Sequence, residues 1–436
     1  MFEKWIKQGI AKGLTDIEIF STTAKSLQLT VYQGKTDQHV KSKVESIRVK
    51  GIYQGKAATV TLESLDDKTV DAMLDRLIES AKNITANEPA LIFEGSKKYP
   101  VIDTKIFDFD SVPFEKKKQL LVDLESKVLA NELCLQVQTS QYIEVAGKTT
   151  LVNSKGLNLS KEFSYAYAYA VGVFKKDNDV KAEYEISAVK DFSEFNVDKV
   201  AKKIIDKGVA AVGGKSVPSS LYKTVFSKET FADLMAVFSS IYSAEMAFRN
   251  MSPLKEKVGQ KIAVREFSLI DDPLNKGAFQ QNSFDDEGVA CQTKPIIENG
   301  VFKGFLHNLK TAAIFNQDPT GNGFGGSISP SNMYVKPGVK SFDQIMTDVK
   351  DGIYITSLAG LHSGVKQVSG DFSLQAGGFK IENGKVTTAV KMIIVSGNLF
   401  TMLGNIKDIG ADLEFGISGF GSPTVYVGDL SIAGEE

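Results

Sequence analysis

The sequence predicts an α+β protein with an N-terminal α/β domain over residues 1–213 and a C-terminal β-rich, barrel-like domain over residues 219–436. Up to residue 213, helical and strand patterns alternate, which favours an antiparallel sheet packed against helices. After residue 219, short apolar runs are separated by Gly, Pro and Asn, as is typical of an antiparallel sheet or barrel. Between the two, residues 213–218 read GGKSVP, a linker-like composition that predicts the hinge.

The first predicted helix begins near residue 70, with Asp66 or Asp67 as a cap. Its apolar residues follow the helical i, i+3, i+4 spacing: Val70, Met73, Leu74, Leu77, Ile78 and Ala81. Before it, apolar residues alternate with polar ones and predict half-buried strands: Leu27, Leu29, Val31, Val60 and Leu62.

A second passage of helix, strands and helix follows. Pro113 opens a helix whose apolar stripe is Phe114, Leu121, Leu124 and Val128. Strands are predicted at residues 136–145 and 164–173, and Asn196 caps a helix with one apolar face: Val197, Val200, Ala201, Ile204 and Ile205. The repeated order is compatible with a duplicated unit, although no residues match between the two passages.

The stretch YAYAYA places Tyr165, Tyr167 and Tyr169 on one strand face and three alanines, Ala166, Ala168 and Ala170, on the other. We interpret this alternation as packing, because small residues let a helix lie close to the sheet. Stacking of a ligand on the tyrosines is the alternative.

The composition excludes several classes of protein. The formal net charge is -2, which provides no electrostatic reason to expect a nucleic-acid or membrane partner. The two cysteines, Cys134 and Cys291, do not make a disulfide framework. Charges interrupt the first residues, MFEKWIKQGIAKGL, and no apolar run reaches the roughly 20 residues that span a bilayer. We therefore expect a cytoplasmic protein.

Specific sequence blocks appear in the C-terminal half. They are SNMYVKPG (331–338), HSGVKQVSGDFS (362–373), IENGK (381–385), VKMIIVSGN (390–398), GNI (404–406), GSP (421–423) and VGDLSIAG (427–434). Their order, spacing and residue types together resemble the TldD/PmbA family of predicted modulators of DNA gyrase. ESIRV at residues 45–49 resembles that family's opening sheet, and the resemblance covers nearly the whole chain.

The resemblance implies one of two branches. The TldD branch has a zinc-type HExxxH helix at the start of its C-terminal domain and a ligand cysteine near the C-terminus, and the TldE/PmbA branch lacks both. Together the two form a peptidase that cuts unstructured peptides, including antitoxin and microcin precursors. The implied function is thus a non-catalytic TldE/PmbA-like subunit that helps to bind unfolded peptide beside a TldD-like catalytic partner. A homodimeric peptide-binding or scaffold protein is the alternative, and an enzyme with an unrecognised site is a third.

The metal motif is missing from the corresponding helix. A helical HExxxH brings two imidazoles to one metal, with the glutamate as general base. Residues 231–246 contain no histidine, and the ligand-bearing stretch falls near residues 235–240, MAVFSS. The three histidines, His39, His307 and His362, are far apart, and ISGF (417–420) stands where the ligand cysteine is expected. We therefore expect no metal, no cofactor and no catalytic residue, and we interpret Glu245 as a solvated or rim charge.

A peptide groove is predicted in the C-terminal domain. An open strand edge binds extended peptide through its backbone. The loop GNGFGG (321–326) has little side chain to obstruct such a peptide, so Gly323, Phe324 and Gly325 are candidate groove residues, together with His362 and Asp371. A plain flexible loop is the alternative. A phosphate loop is disfavoured because Pro330 follows where a helix would have to begin.

Two further motifs that could suggest a catalytic or a calcium site have structural interpretations. His362, Ser363 and Asp371 lack a nucleophile-elbow pattern. We instead predict that His362 bonds backbone in a turn and that Asp371 binds backbone amides in the turn at 370–373. Residues 285–288, DDEG, lack the alternating ligand spacing of a calcium loop and are interpreted as surface acidity.

Overall fold

The computed structural model describes residues 1–64 and 67–435, so the candidate cap Asp66 lies outside the described residues, as does the side chain of Asp67. The chain divides into two compact units. The first comprises Met1–Val209 together with two later segments, Phe284–Ala290 and Ala312–Asp318. The second comprises Ala210–Ser283, Cys291–Thr311 and the chain from Pro319 onward. Among the described residues, no helix is long and apolar enough to cross a membrane.

The first unit is a six-stranded antiparallel sheet with helices. The helices are α1 (Phe2–Ala11), α2 (Val70–Lys82), α3 (Phe114–Leu129) and α4 (Val197–Ala211). The strands are β1 (Asp16–Tyr32), β2 (Lys35–Tyr53), β3 (Lys56–Leu62), β4 (Cys134–Asn153), β5 (Asn158–Lys176) and β6 (Asp179–Val189). Their order in the sheet is β3-β2-β1-β4-β5-β6, and every neighbouring pair is antiparallel. The predicted N-terminal fold class is confirmed.

Local periodicity accounts for these elements. The buried residues of α2 are the six that the helical spacing predicts. The side-chain oxygen of Asn196 accepts a hydrogen bond from the Lys199 amide at 2.9 Å, which confirms the predicted cap of α4. On β5 the three alanines are at most 3% exposed, whereas Tyr165, Tyr167 and Tyr169 are half-buried on the opposite face. The packing interpretation of the alanines is confirmed.

The acidic stretch 285–288 belongs to the first unit, and its interpretation as surface acidity was wrong for Asp285. This residue is 0% exposed. Its Oδ1 accepts hydrogen bonds from the amides of Glu287 and Val289 at 3.0 and 2.9 Å. The carboxylate therefore stabilises a tight turn, because it satisfies backbone donors that burial would otherwise leave without water.

The second unit contains the remaining elements. Its helices are α5 (Lys228–Val237), α6 (Ala244–Phe248), α7 (Leu309–Phe315, whose last residues belong to the first unit), α8 (Phe342–Val349) and α9 (Leu399–Asn405). Its longer strands are β7 (Ser220–Phe226), β14 (Gly352–Ala359), β16 (Asp371–Glu382), β17 (Lys385–Asn398) and β21 (Val425–Ala433). Its short strands are β8 (Leu269–Asp271), β9 (Lys294–Glu298), β10 (Val301–Phe302), β11 (Gly323–Phe324), β12 (Ser327–Ile328), β13 (Met333–Val335), β15 (Val365–Lys366), β18 (Asp408–Ile409), β19 (Glu414–Phe415) and β20 (Phe420–Ser422).

Five strands of this unit close into a barrel. They follow the order β14-β7-β21-β17-β16, and β16 pairs again with β14. Only the β7–β14 pair is parallel among these five. The barrel-like C-terminal fold is therefore confirmed. Among the described residues, closure leaves no long free strand edge in the barrel. The barrel sheet ends in β15, and the six-stranded sheet of this unit ends in β10 and β19. Each of these three strands has only two residues.

The linker-like segment is built into the second unit. The Lys215 amide donates to the Ala389 carbonyl at 3.1 Å, and Val217 is 1% exposed. Both residues lie after the boundary between the units at Val209 and Ala210. The hinge near residues 213–218 stays a prediction.

Candidate functional site

The helical segment at residues 231–246, where the resemblance implies the metal motif, is interrupted. Helix α5 ends at Val237, and a 3-10 turn at Ser239–Tyr242 leads into α6. The Ser240 hydroxyl donates to Gln367 Oε1 at 2.8 Å, and Gln367 Nε2 donates to the Val237 carbonyl at 2.8 Å. Gln367 thus bonds a carbonyl that the end of α5 leaves without a helical partner, which stabilises the helix end at this position.

The residues of this segment do not fit a metal. Met235 and Phe238 are at most 2% exposed and pack in the core of the second unit. Neither an apolar side chain nor the hydroxyl of Ser240 is a ligand type that zinc prefers. Over residues 1–64 and 67–435, no group of three or more His, Cys, Asp or Glu side chains could hold a metal ion.

The three histidines occupy different environments. His39 is exposed on β2 and its ring lies 4.8 Å from that of Phe114. His307 is buried, and burial lowers its pKa although a hydrogen bond with Thr311 opposes the shift. His362 is exposed in the turn after β14.

Glu245 is an ion-paired side chain. Its Oε1 lies 2.8 Å from Arg249 Nε and its Oε2 lies 2.9 Å from Lys310 Nζ. Burial alone would raise the pKa of Glu245, but the hydrogen bonds from Lys310 and Arg249 outweigh burial and lower it. The Glu245 carboxylate therefore stays ionised and paired with two cations. A carboxylate held in this way is poorly suited to take up a proton as a general base.

The predicted glycine loop forms a small hairpin. Gly323 is buried and Phe324 is half-buried in β11, which pairs with β12, and Gly325 is exposed at the tip with φ of +58°. Asn322 is 0% exposed and donates from Nδ2 to Asp271 Oδ2 at 2.8 Å, which fixes the base of the hairpin. The hairpin can still border a groove, and that role stays a prediction.

Ser363 and Asp371 each bind another group of the chain. The Ser363 hydroxyl donates to the Gly360 carbonyl at 3.4 Å. Asp371 Oδ1 accepts a hydrogen bond from Asn398 Nδ2 at 2.9 Å, so its carboxylate binds a side-chain amide where we expected backbone amides. The hydrogen bond from Asn398 lowers the pKa of Asp371, and a hydrogen bond from Ser369 lowers it further. Asp371 begins β16 of the barrel sheet, whereas the glycine hairpin is a separate sheet.

Asn398 connects two segments around α9, a role that our sequence analysis did not assign to it. Its Nδ2 donates to the Ser369 carbonyl at 2.8 Å as well as to Asp371. Its Oδ1 accepts from the amides of Phe400 and Thr401 at 3.1 and 3.3 Å and so caps α9. An asparagine directly before an apolar run is a helix-start signal, so the cap was readable from the sequence, but its partners in the loop were not.

Two cavities are lined in part by residues of α9. The larger has a volume of about 560 Å³, and its lining includes Leu254, Lys257, Lys261, Ile262, Val264 and Phe400. The smaller, of about 220 Å³, is bordered by Asn398, Thr401 and Asn405. Phe400 and Gly404, four residues apart on α9, both line the larger cavity. Periodicity does not predict a void, so none of these lining residues was recognised from the sequence as part of a site.

Comparisons with known proteins agree with this architecture. Residues 219–434 match the model of the PmbA/TldA metallopeptidase C-terminal domain, and residues 107–212 match that family's central domain. A metalloprotease of Methanocaldococcus jannaschii is 26% identical over 425 residues, which cover 93% of this chain and 92% of the relative. A metalloprotease PmbA homolog of Haemophilus influenzae is 23% identical over 376 residues, covering 84% of this chain and 80% of the relative.

Solved structures show the same fold. A Thermotoga maritima protein described as a modulator of a DNA gyrase superposes with a TM-score of 0.90 at 28% identity, over 99% of this chain and 100% of that one. TldE from Thermococcus kodakarensis has a TM-score of 0.89 at 21% identity, over 99% and 100%, which shows a shared fold. With both domain models matched in order, the chain belongs to the PmbA/TldA metallopeptidase family, the TldD/PmbA family that its sequence blocks resemble.

Proposed function

We propose that this protein is a non-catalytic, TldE/PmbA-like subunit of a cytoplasmic metallopeptidase that acts on unfolded peptides beside a TldD-like catalytic partner. The observation that carries the proposal is the contact between Ser240 and Gln367 at 2.8 Å. At the place where the catalytic branch carries its metal helix, this chain has a hydrogen-bonded turn without nitrogen, sulfur or carboxylate ligands.

The division of labour follows from the chemistry of hydrolysis. A metalloprotease cleaves a peptide bond with a water molecule that its bound metal ion activates. A chain without ligands for that ion contributes through binding and positioning, because holding the peptide in a reactive geometry itself lowers the barrier. The Gln367 contacts stabilise the α5 turn without a metal.

The proposal predicts that catalysis requires the partner. The pure chain should hold well below one zinc or iron per molecule in elemental analysis and should leave unfolded casein intact. Addition of a TldD-like protein should produce cleavage that a chelator stops, and the two proteins should co-elute from a sizing column.

Two controls define the outcome. The TldD-like protein alone fixes the background rate, and a variant of it without its metal-ligand histidines should abolish activity of the mixture. Cleavage of casein by the pure chain that a chelator abolishes, or about one tightly bound transition metal per chain, would overturn the proposal. A chain that elutes as a dimer and never associates with a TldD-like protein would instead support a homodimeric scaffold.

A further inference from the structure

The larger cavity beside α9 has the dimensions of a ligand site. Its volume of about 560 Å³ lies within the range of roughly 300–1,000 Å³ that is usual for small-molecule pockets. Its walls come from four segments of the second unit: residues 253–257, residues 261–264, Ser369 and helix α9. Pockets lined mainly by apolar side chains with a few polar groups are where proteins hold small ligands.

The apolar part of the cavity is held in place by backbone contacts. The Ile262 amide donates to the Gly300 carbonyl at 2.8 Å, and the Val264 amide donates to the Leu403 carbonyl at 3.0 Å. Phe400 packs against Gly370, where an added Cβ would lie 3.0 Å from the ring. The cavity therefore has a fixed apolar wall, suited to one apolar side chain.

The charged part of the cavity consists of lysines. Lys257 and Lys261 both line it and both are exposed. Neither takes part in an ion pair within residues 1–64 and 67–435, whereas the neighbouring Lys255 donates to Asn250 Oδ1 at 2.6 Å. Two lysines without an ion pair in the described part of the chain line the same cavity as the apolar side chains, a combination complementary to a ligand that carries an anion next to an apolar group.

We propose that this cavity binds the C-terminal residue of a peptide, with the carboxylate at Lys257 and Lys261 and an apolar last side chain against Phe400. This inference rests on the proposed function, since the choice of a peptide over another apolar carboxylate follows from the unfolded peptides that the subunit would hold. A free C-terminus is the one carboxylate that every such peptide offers regardless of sequence, and capture of a terminal carboxylate is a recurrent mode of peptide recognition.

Binding to the purified full-length chain tests the proposal without the catalytic partner. The probe is a fluorescein-labelled Gly/Ser peptide that ends in Phe with a free carboxylate, and the control probe is the same peptide with a C-terminal amide. Fluorescence anisotropy should show that the free acid binds at least ~10-fold more tightly, which corresponds to about 1.4 kcal/mol. Equal affinity for acid and amide would overturn the proposal.

Variants locate the site. Gly404 lines the cavity and an added Cβ meets nothing within 4 Å, so we expect the side chain of Gly404→Leu to occupy part of the cavity. We expect it to weaken binding of the free acid at least ~10-fold. The double change Lys257→Gln with Lys261→Gln should reduce the affinity for the acid to that for the amide, while Lys255→Gln, the matched control, should leave both unchanged.

The remaining outcomes also decide the question. If Gly404→Leu fails to fold, Phe400→Ala replaces it, with thermal unfolding to confirm the fold. Unchanged affinity in the folded cavity variants would place the peptide elsewhere. Decanoate, an apolar carboxylate without a peptide, serves as competitor: displacement of the peptide by decanoate at equal or lower concentration would show a fatty-acid site and overturn the peptide assignment. The binding measurements use the pure chain and do not depend on a TldD-like protein. A failure of the proposed function and a failure of this inference can therefore be told apart.

Discussion

At the scale of single residues, Glu18 is a buried carboxyl group of the first unit with a strongly raised pKa. It is 4% exposed on β1, between Lys50 of β2 and Asn153 of β4. Its Oε2 has no hydrogen-bond partner among the described residues. Burial, together with the negative charge of Glu287, raises the pKa of Glu18 to about 7, although Lys50 acts in the opposite direction.

This shift predicts a pH dependence of stability. In the unfolded chain Glu18 loses its proton near the ordinary glutamate pKa of 4.5, whereas in the folded chain it keeps the proton up to about 7. Between these values the folded state binds more protons, so its stability falls as pH rises, by about 1.4 kcal/mol per pH unit and roughly 3 kcal/mol in total.

Glu18→Gln should remove this loss, because glutamine stays neutral. Thermal unfolding should show the variant more stable than wild type at pH 8 and little different at pH 4. Glu132→Gln, which changes an exposed carboxylate of the same unit, is the control. A variant that gains nothing at pH 8 would show that Glu18 is solvated in solution.

At the scale of elements, the closure of the barrel depends on a glycine. Gly378 of β16 lies beside β14, and a Cβ built on it would be 1.9 Å from the Tyr354 carbonyl oxygen. The pairing of these two strands also shifts register between Ile355 and Ser357. The strands approach so closely here that only a residue without a side chain fits.

Gly378→Ala should therefore open the seam between β14 and β16. We expect a loss of about 3 kcal/mol or more, since the obstacle is backbone and has no rotamer to change. Gly404→Ala is the matched control: it lies in α9 with open space around its Cβ, and alanine there should be neutral or gain up to ~1 kcal/mol. Urea unfolding measures both changes, and hydrogen exchange should increase in residues 352–359 of the first variant alone. Equal stability of the two variants would contradict the close approach.

At the scale of the whole molecule, the chain has separate hydrophobic cores. One core cluster of the first unit contains Trp5 and Leu77, and a second contains Leu121 and Tyr142. The largest cluster of the second unit contains Phe231, Phe302 and Val395. Two units with their own cores are expected to unfold in separate cooperative steps.

Calorimetry should thus resolve two transitions, and each should respond to a change in its own unit. A Cβ on Gly208 of α4 would lie 2.1 Å from the ring of Phe174, which is 0% exposed, so Gly208→Ala should lower the transition of the first unit by several degrees. Gly378→Ala should lower only the other. A single transition, or two that move together, would show that the units are one cooperative block and would count against the two-domain division.

The local elements and the family were predictable from the sequence for a physical reason. Helix α2 and the alternation on β5 are set by neighbours within one turn or along one strand, so apolar periodicity alone specifies which residues become buried. The family blocks between residues 362 and 398 are likewise contiguous in the chain. Asp371 was predicted to bind backbone amides in its turn, whereas the structure shows its carboxylate bound to the side-chain amide of Asn398, the cap of α9.

What the sequence by itself determined is therefore the α+β class, the faces of the helices and strands, and membership of the TldD/PmbA family with no metal motif at residues 235–240. Only the tertiary structure decided that β14 and β16 close the barrel, that Gln367 bonds the end of α5, that Asn398 joins Asp371 to α9, and that a cavity lined by two lysines lies beside that helix. The reason is that Gln367 lies 130 residues from its partner Val237, and Asn398 lies 27 residues from Asp371. Contacts at such separations form only when packing brings the segments together, and periodicity within a segment carries no record of them.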